Sequence, residues 1–322
     1  MSIKIEENVA LENIEMRAAF TKAMIEEAKN NPEIVYLDAD LMKSIGMAAF
    51  EKEFPQRSFD VGIQEANMVG VAAGMSATGK VPFIHTFGPF ASRRCYDQVF
   101  LSCGYSKLNV KIVGSDPGIT AAYNGGTHMP FEDVGLMRNI PNITIIEPVD
   151  SVMLQDIIKK VANMYGLFYI RLQRKNAFKV FQEGSTFEIG KAAQLREGKD
   201  LTILATGIMV AGALKAQEIL ASEGISARVA NIFTIKPIDK EYIIQCANET
   251  GAIVTCENHS IINGLGSAVA EVLCENVPIP LERVGVKDIF GEVGPQDYLA
   301  KRFKLEAVDI VESVKKVLAR KK

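Results

Sequence analysis

The feature that most constrains this chain is a regular exchange between short β-branched runs and longer helical patterns, carried from near the start to near the end. The runs IVYLDA, SFDVG, PFIHTF, VKIVGS, ITIIEP and LFYIRL read as six strands of one sheet. Between them lie helical stretches such as residues 12–29, where Met16, Phe20, Ala23, Met24 and Glu27 recur at spacings of three and four. Strands that alternate with helices build βα units around a largely parallel sheet, so the expected class is α/β.

After YIRLQR the exchange breaks into KNAFKVFQEGSTFEIGKAAQLREGKD, which has room for a strand or two and no strong helix. It resumes with LTILATG, a helix over about 210–223, SARVANI, a helix from about Asp239, AIVTCEN and a helix after Asn263. A length of 322 residues fits two domains. The boundary is set at 188/189, giving residues 1–188 and 189–322, two α/β domains with largely parallel sheets.

The 36 basic and 39 acidic residues are evenly mixed, which offers no field suited to nucleic acid or an anionic membrane. Five cysteines without CxxC or zinc-finger spacing argue against a disulfide framework or structural metal, and read as reduced thiols of a cytoplasmic protein. MSIKIEEN lacks the build of a signal peptide, and the longest apolar stretch, LTILATGIMVAGAL, is too short and broken to cross a bilayer.

In parallel α/β sheets ligands lie beyond the carboxyl ends of the strands. Asp38, Asp40, Glu65, Phe87, Phe90, Ser115, Asp116 and Arg174 all fall in such positions and are expected on one rim. Glu65 in DVGIQEANMVGVAAG would serve a helix first turn. The small residues Gly70, Ala72, Ala73 and Gly74 after it also allow another helix or subunit to pack close, where the carboxyl could pass a proton to a partner base. His128 lies in a long Gly-rich loop, DPGITAAYNGGTHMPFED, of a length uncommon in a compact domain unless it functions. Neither GxGxxG nor GxxxxGK occurs. Phe87 and Phe90 suit a stacking platform for a flat ring, and Arg17 and Arg174 would gain by binding a phosphate. His259, in CENHSIINGLG, reads as structural.

The segments FDVGIQEANMVGVAAGMSATGKVPFIHTFGPFASRRCYDQV, LNVKIVG and GGTHMPFED resemble the pyrimidine-binding domain of transketolase. The region from LTILATGIMV through ENHSIINGLGSAVAEVL resembles that family's carboxy-terminal domain. No GDG motif occurs, so the resemblance implies the second half of a split enzyme. Its partner would be a separate subunit carrying GDG and holding the metal, Mg2+ or Ca2+, and the pyrophosphate of thiamine diphosphate, in a dimer of heterodimers. The resemblance makes Glu65 the glutamate on the pyrimidine N1′, favouring the imino tautomer whose nitrogen removes the thiazolium C2 proton. It puts Phe87, Phe90 and Asp40 around the cofactor and His128 near the reacting carbon. Arg17, Ser44 and Arg174 would hold a sugar phosphate. The departures are local: Ser115 or Asp116 stands where the family has a histidine, Asn124 where it has an aspartate that reads donor hydroxyls, and Arg93 or Arg94 where an aromatic is common. They leave the cofactor chemistry intact and change the part that reads the sugar, so a branched or sulfonated ketose is a candidate donor. The rival readings are the beta subunit of a 2-oxoacid dehydrogenase decarboxylase and a non-catalytic scaffold paralogue; the paired arginines and the retained Glu65 weigh against them.

Overall fold

A computed structural model describes residues 1–321. Its strands are β1 (Leu11–Glu15), β2 (Ile34–Asp38), β3 (Ser58–Asp60), β4 (Val81–Phe87), β5 (Lys111–Ser115), β6 (Thr144–Ile146) and β7 (Phe168–Leu172). They continue as β8 (Asn176–Phe178), β9 (Ala193–Arg196), β10 (Leu201–Ala205), β11 (Ala227–Asn231), β12 (Thr234–Lys236), β13 (Ile253–Ser260) and β14 (Leu281–Val286). All six strands read from the first half lie in one sheet, in the order β12-β6-β7-β5-β4-β2-β3. Every pairing in it is parallel except that of β12. Each residue of β2, β4, β5 and β7 is buried, because helices cover both faces. One apolar cluster, with Phe20, Tyr36 and Phe83, fills one face; a second, with Val69, Ile84 and Ile112, fills the other.

Two features depart from the sequence reading. The segment read as the start of a helix, residues 12–15, belongs to β1, which pairs antiparallel with β8, just after β7. The helix proper is Met16–Asn30. The partner strand lies far along the chain, where local periodicity carries no trace of it. The large sheet also gains a seventh strand, β12, from the second half, which pairs antiparallel with β6. Lys236 anchors it by donating to the carbonyls of Arg138 and Ile140, each at 2.7 Å.

The second sheet runs β14-β13-β10-β11-β9, parallel but for β9. Between the two sheets sits a fully buried polar bolt. Arg171 on β7 grips Asp133 through Nε (2.8 Å) and Nη2 (3.1 Å), Glu147 through Nη1 (2.7 Å), and donates to the Asn258 carbonyl at 3.1 Å. Tyr169 adds a bond to Asp133 at 2.8 Å, and Thr206 one to Glu147 at 3.1 Å. Asn258 and Thr206 come from the second half, so this network fixes how the halves meet. Its paired carboxylate, Asp133, is held below the usual range: burial pushes its pKa up, but Arg171 more than offsets that.

Candidate active site

Strand register assembles the rim. Asp38 at the end of β2 aligns with His85 on β4, and Phe87 at the end of β4 aligns with Ser115 at the end of β5. The backbone N–H of Asp116 then donates to Leu172 O, at the end of β7, at 3.0 Å. Three groups of side chains result.

The first surrounds Glu65, the opening residue of the Glu65–Ala77 helix, whose side chain is 3% exposed. Its Oε1 accepts from Arg94 Nη1 at 2.7 Å, and the Arg94 guanidinium lies 3.9 Å from the centroid of the Phe90 ring. Phe87, Phe90 and His128 meet edge to face, with centroids 6.3 Å apart for the two phenylalanines and 5.6 and 5.2 Å from each to His128. His128 is half-buried, and its Nδ1 is 2.9 Å from Thr127 Oγ1. A buried carboxylate beside a half-buried aromatic face puts a hydrogen-bonding group next to a flat apolar surface, the two features that would hold the pyrimidine ring of thiamine diphosphate. Arg94 takes both contacts in this structure.

The second group gathers Arg17, Ser44 and Arg174. Arg17 Nη1 donates to Ser44 O at 2.9 Å, and Arg174 Nη1 donates to Ser44 Oγ. Arg174 Nε lies 2.8 and 2.7 Å from the two oxygens of Asp116, a carboxylate 1% exposed at a left-handed φ of 56°. Burial raises the Asp116 pKa, and Arg174 opposes the rise. Arg17 is paired in turn with Glu15 at 2.5 Å, and Glu15 with Lys175 at 3.1 Å.

The third group lies beneath the rim: it takes in Asp38 and Ser115, both expected on the rim, and His85, which the sequence reading did not single out. Asp38 accepts from the Tyr36 hydroxyl at 2.7 Å and faces His85 Nδ1 at 2.8 Å, while His85 Nε2 faces Ser115 Oγ at 2.9 Å. A neutral ring that donates from Nδ1 leaves Nε2 to accept the Ser115 hydroxyl. The chain has the order of a nucleophilic triad, but all three residues are fully buried, so it ties β2, β4 and β5 together instead of meeting a substrate. Ser115, read from the sequence as substrate-binding, is thereby withdrawn from the rim: its hydroxyl is spent on His85. The histidine in the apolar run PFIHTF was the available signal.

The remaining candidates lie at the edges. Asp40 is exposed toward β3, with its N–H on Asp60 Oδ1 at 3.0 Å. Asn124 is exposed on the loop that carries His128. That loop is pinned by the second half of the chain. Asn258 Oδ1 accepts from Ile119 N at 2.9 Å and its Nδ2 donates to Pro117 O at 2.8 Å. A Cβ on Gly118 (φ +51°) would stand 2.1 Å from Asn258 Oδ1, so only glycine fits that turn. His259 is buried, with Nδ1 on Ser260 O at 2.7 Å, and desolvation lowers its pKa to about 4. Among the described residues no group of three or more His, Cys, Asp or Glu side chains is placed to hold a metal ion, and no helix is long and apolar enough to cross a membrane.

Both halves of the chain match known proteins. Residues 12–179 match the model of the transketolase pyrimidine binding domain, and residues 190–310 that of the transketolase C-terminal domain. The chain is 54% identical, over 97% of each sequence, to a 6-deoxy-6-sulfo-D-fructose transketolase subunit of a Clostridium species. It is 43% identical to a putative transketolase C-terminal section of Methanocaldococcus jannaschii, over 93% of this chain and 95% of that one. Among solved structures, a split gene transketolase described as an inactive beta4 tetramer superposes with a TM-score of 0.90 at 46% identity, over 96% of this chain and 100% of the other.

Proposed function

Because the chain belongs to the transketolase family, we propose that it is the carboxy-terminal subunit of a two-chain, thiamine diphosphate-dependent transketolase. It would move a two-carbon ketol unit from a ketose to an aldose. The observation that carries this reading is the buried Glu65 carboxylate beside the Phe87, Phe90 and His128 rings.

When bound, thiamine diphosphate supplies the nucleophilic carbon that attacks the ketose carbonyl. This chain's residues would do the rest of the work on their side of the site. Glu65 holds or gives up a proton at the pyrimidine edge, in a position that water scarcely reaches. Phe90, with Phe87 behind it, packs the ring, and Asp40 borders the cofactor from the β3 edge. His128 stands against both phenylalanines, placed to exchange a proton with the substrate oxygen. Arg17, Ser44 and Arg174 hold the charged tail of the sugar, and Asn124 reads its hydroxyls.

The pyrophosphate and its Mg2+ or Ca2+ would be held by a separate subunit carrying a GDG motif, in a dimer of heterodimers. Support for that dependence comes from the related split-gene chain described as inactive when assembled from beta subunits alone. The relative that acts on a sulfonated hexulose supports the same donor class here, in place of the ordinary pentose phosphates. The free cysteines suit action in the cytoplasm. We place the domain boundary at 188/189, in the short stretch that neither family model covers.

The test is to co-purify the chain with its partner and supply 6-deoxy-6-sulfofructose with an aldose acceptor. Growth of the acceptor by two carbons supports the reading. Release of carbon dioxide from a 2-oxoacid, with no ketol transfer, overturns it.

A further inference from the structure

We infer that Asp116 sets the charge of the sugar-tail pocket, so that the pocket takes a singly charged tail such as a sulfonate in preference to a doubly charged phosphate. The inference rests on the reading of Arg17, Ser44 and Arg174 as the tail pocket and goes beyond it by naming what selects the tail.

Two cations converge on Ser44. Arg17 reaches its carbonyl at 2.9 Å and Arg174 its hydroxyl. The Nη2 groups of both arginines donate no hydrogen bond among the described residues, so each presents an open donor. Neither cation is electrically free. Asp116, 1% exposed, lies 2.8 and 2.7 Å from Arg174 Nε, and Glu15 bridges Arg17 at 2.5 Å and Lys175 at 3.1 Å. Three cations in contact with two carboxylates leave one net positive charge.

A sulfonate and a phosphate monoester are both tetrahedral, with three terminal oxygens, so shape distinguishes them poorly. Charge distinguishes them well. A sulfonate carries a single negative charge, whereas a phosphate monoester carries about −1.5 to −2 near pH 7. A monoanion would neutralise the pocket. A dianion would leave a surplus negative charge next to Asp116, which is out of water and cannot move aside from its two contacts with Arg174. The backbone favours the same residue class: at φ 56° aspartate and asparagine are among the few side chains that sit without strain. Asp116→Asn therefore removes the charge while keeping size and turn geometry.

The experiment is calorimetric titration of the co-purified pair with 6-deoxy-6-sulfofructose and with fructose 6-phosphate, on the wild type and on Asp116→Asn. The wild type should bind the sulfonate more tightly. In Asp116→Asn the ratio should shift toward phosphate by about tenfold, the scale of one unit charge at contact distance in a partly hydrated site. A thermal melt checks that the variant is folded. If it is not, a pH series on the wild type serves: phosphate should bind more tightly as pH falls from 8 to 5 and it gains a proton, with sulfonate binding unchanged. An unaltered ratio in folded Asp116→Asn, a flat phosphate series, or no binding of either ligand by the wild type overturns the inference. Failure of ketol transfer shows separately, as absence of product while the binding ratio still shifts.

Discussion

Replacing Arg171 with methionine tests the buried bolt between the two sheets. Methionine keeps most of the side-chain length and removes the charge. It strands Asp133 and Glu147, which Arg171 contacts at 2.8, 3.1 and 2.7 Å; among the described residues no other Lys or Arg pairs with either, and His259, 3.9 Å from Asp133, has its pKa lowered to about 4 and carries no charge near neutral pH. Breaking a buried ion pair by removing one partner costs about 3–5 kcal/mol, because the remaining charge stays desolvated. Here two carboxylates are orphaned, so the upper end applies. Urea unfolding followed by both circular dichroism and intrinsic tyrosine fluorescence reads the loss and reports whether the halves still unfold together. The Asp133 contribution to the pH dependence should change sign as well. In the wild type Asp133 has a depressed pKa, so its stabilisation is present above the unfolded-state value and is lost as pH falls through the folded value. Without Arg171, burial dominates and raises that pKa, so the Asp133 contribution is lost as pH rises, in the direction that Glu147, already raised by burial in the wild type, takes before the substitution. A loss under about 1 kcal/mol with an unchanged pH slope would refute the bolt, since a solvated pair costs no more than that.

Two further outcomes follow from named contacts. Glu257 is buried with its oxygens on the N–H groups of Leu265 (2.6 Å) and Gly266 (2.9 Å), and burial pushes its pKa up to about 7. Its contribution is therefore complete below the unfolded-state value and fades as pH rises through about 7, a loss on the order of 3 kcal/mol. Unfolding free energies at pH 5 and pH 8 should differ less in Glu257→Gln than in the wild type by that amount. Arg94, with its side chain 45% exposed, holds Glu65 and covers Phe90. Arg94→Ala should tighten thiamine diphosphate binding by the assembled pair about fivefold, the scale of an ion pair whose arginine end is solvent-exposed and that no longer has to be given up; weaker binding would show that the guanidinium helps to hold the cofactor.

The fold was legible where it depends on local pattern. The buried parallel strands announce themselves as apolar runs, and the helices between them as periodic stretches, so the order of elements through Phe168–Leu172 reads directly. The short antiparallel pairings were not legible. Both β1 with β8 and β12 with β6 join segments far apart in sequence, and each strand has only three to five residues to signal itself. The rim was visible because a parallel sheet sends every strand end to one side, which places Glu65, Phe87, Asp116 and Arg174 in one neighbourhood from strand order alone. The wiring beneath it was not. The partners of His85 lie 47 and 30 residues away, and those of Arg171 between 24 and 87 away, which no local rule reaches. The hint was present all the same: a histidine and an arginine set in runs that are otherwise apolar must be paired to be buried.

Under the proposed function Glu65 performs proton work at a thiamine cofactor shared with a partner chain. Ketol transfer by the co-purified pair, measured with thiamine diphosphate at saturation in the wild type and in Glu65→Gln, tests it most directly. Removing a general acid–base group costs about 10²–10⁴ in rate, so Glu65→Gln should lose at least about a hundredfold in turnover with the thermal melt unchanged. Turnover in Glu65→Gln within a few-fold of the wild type would contradict it.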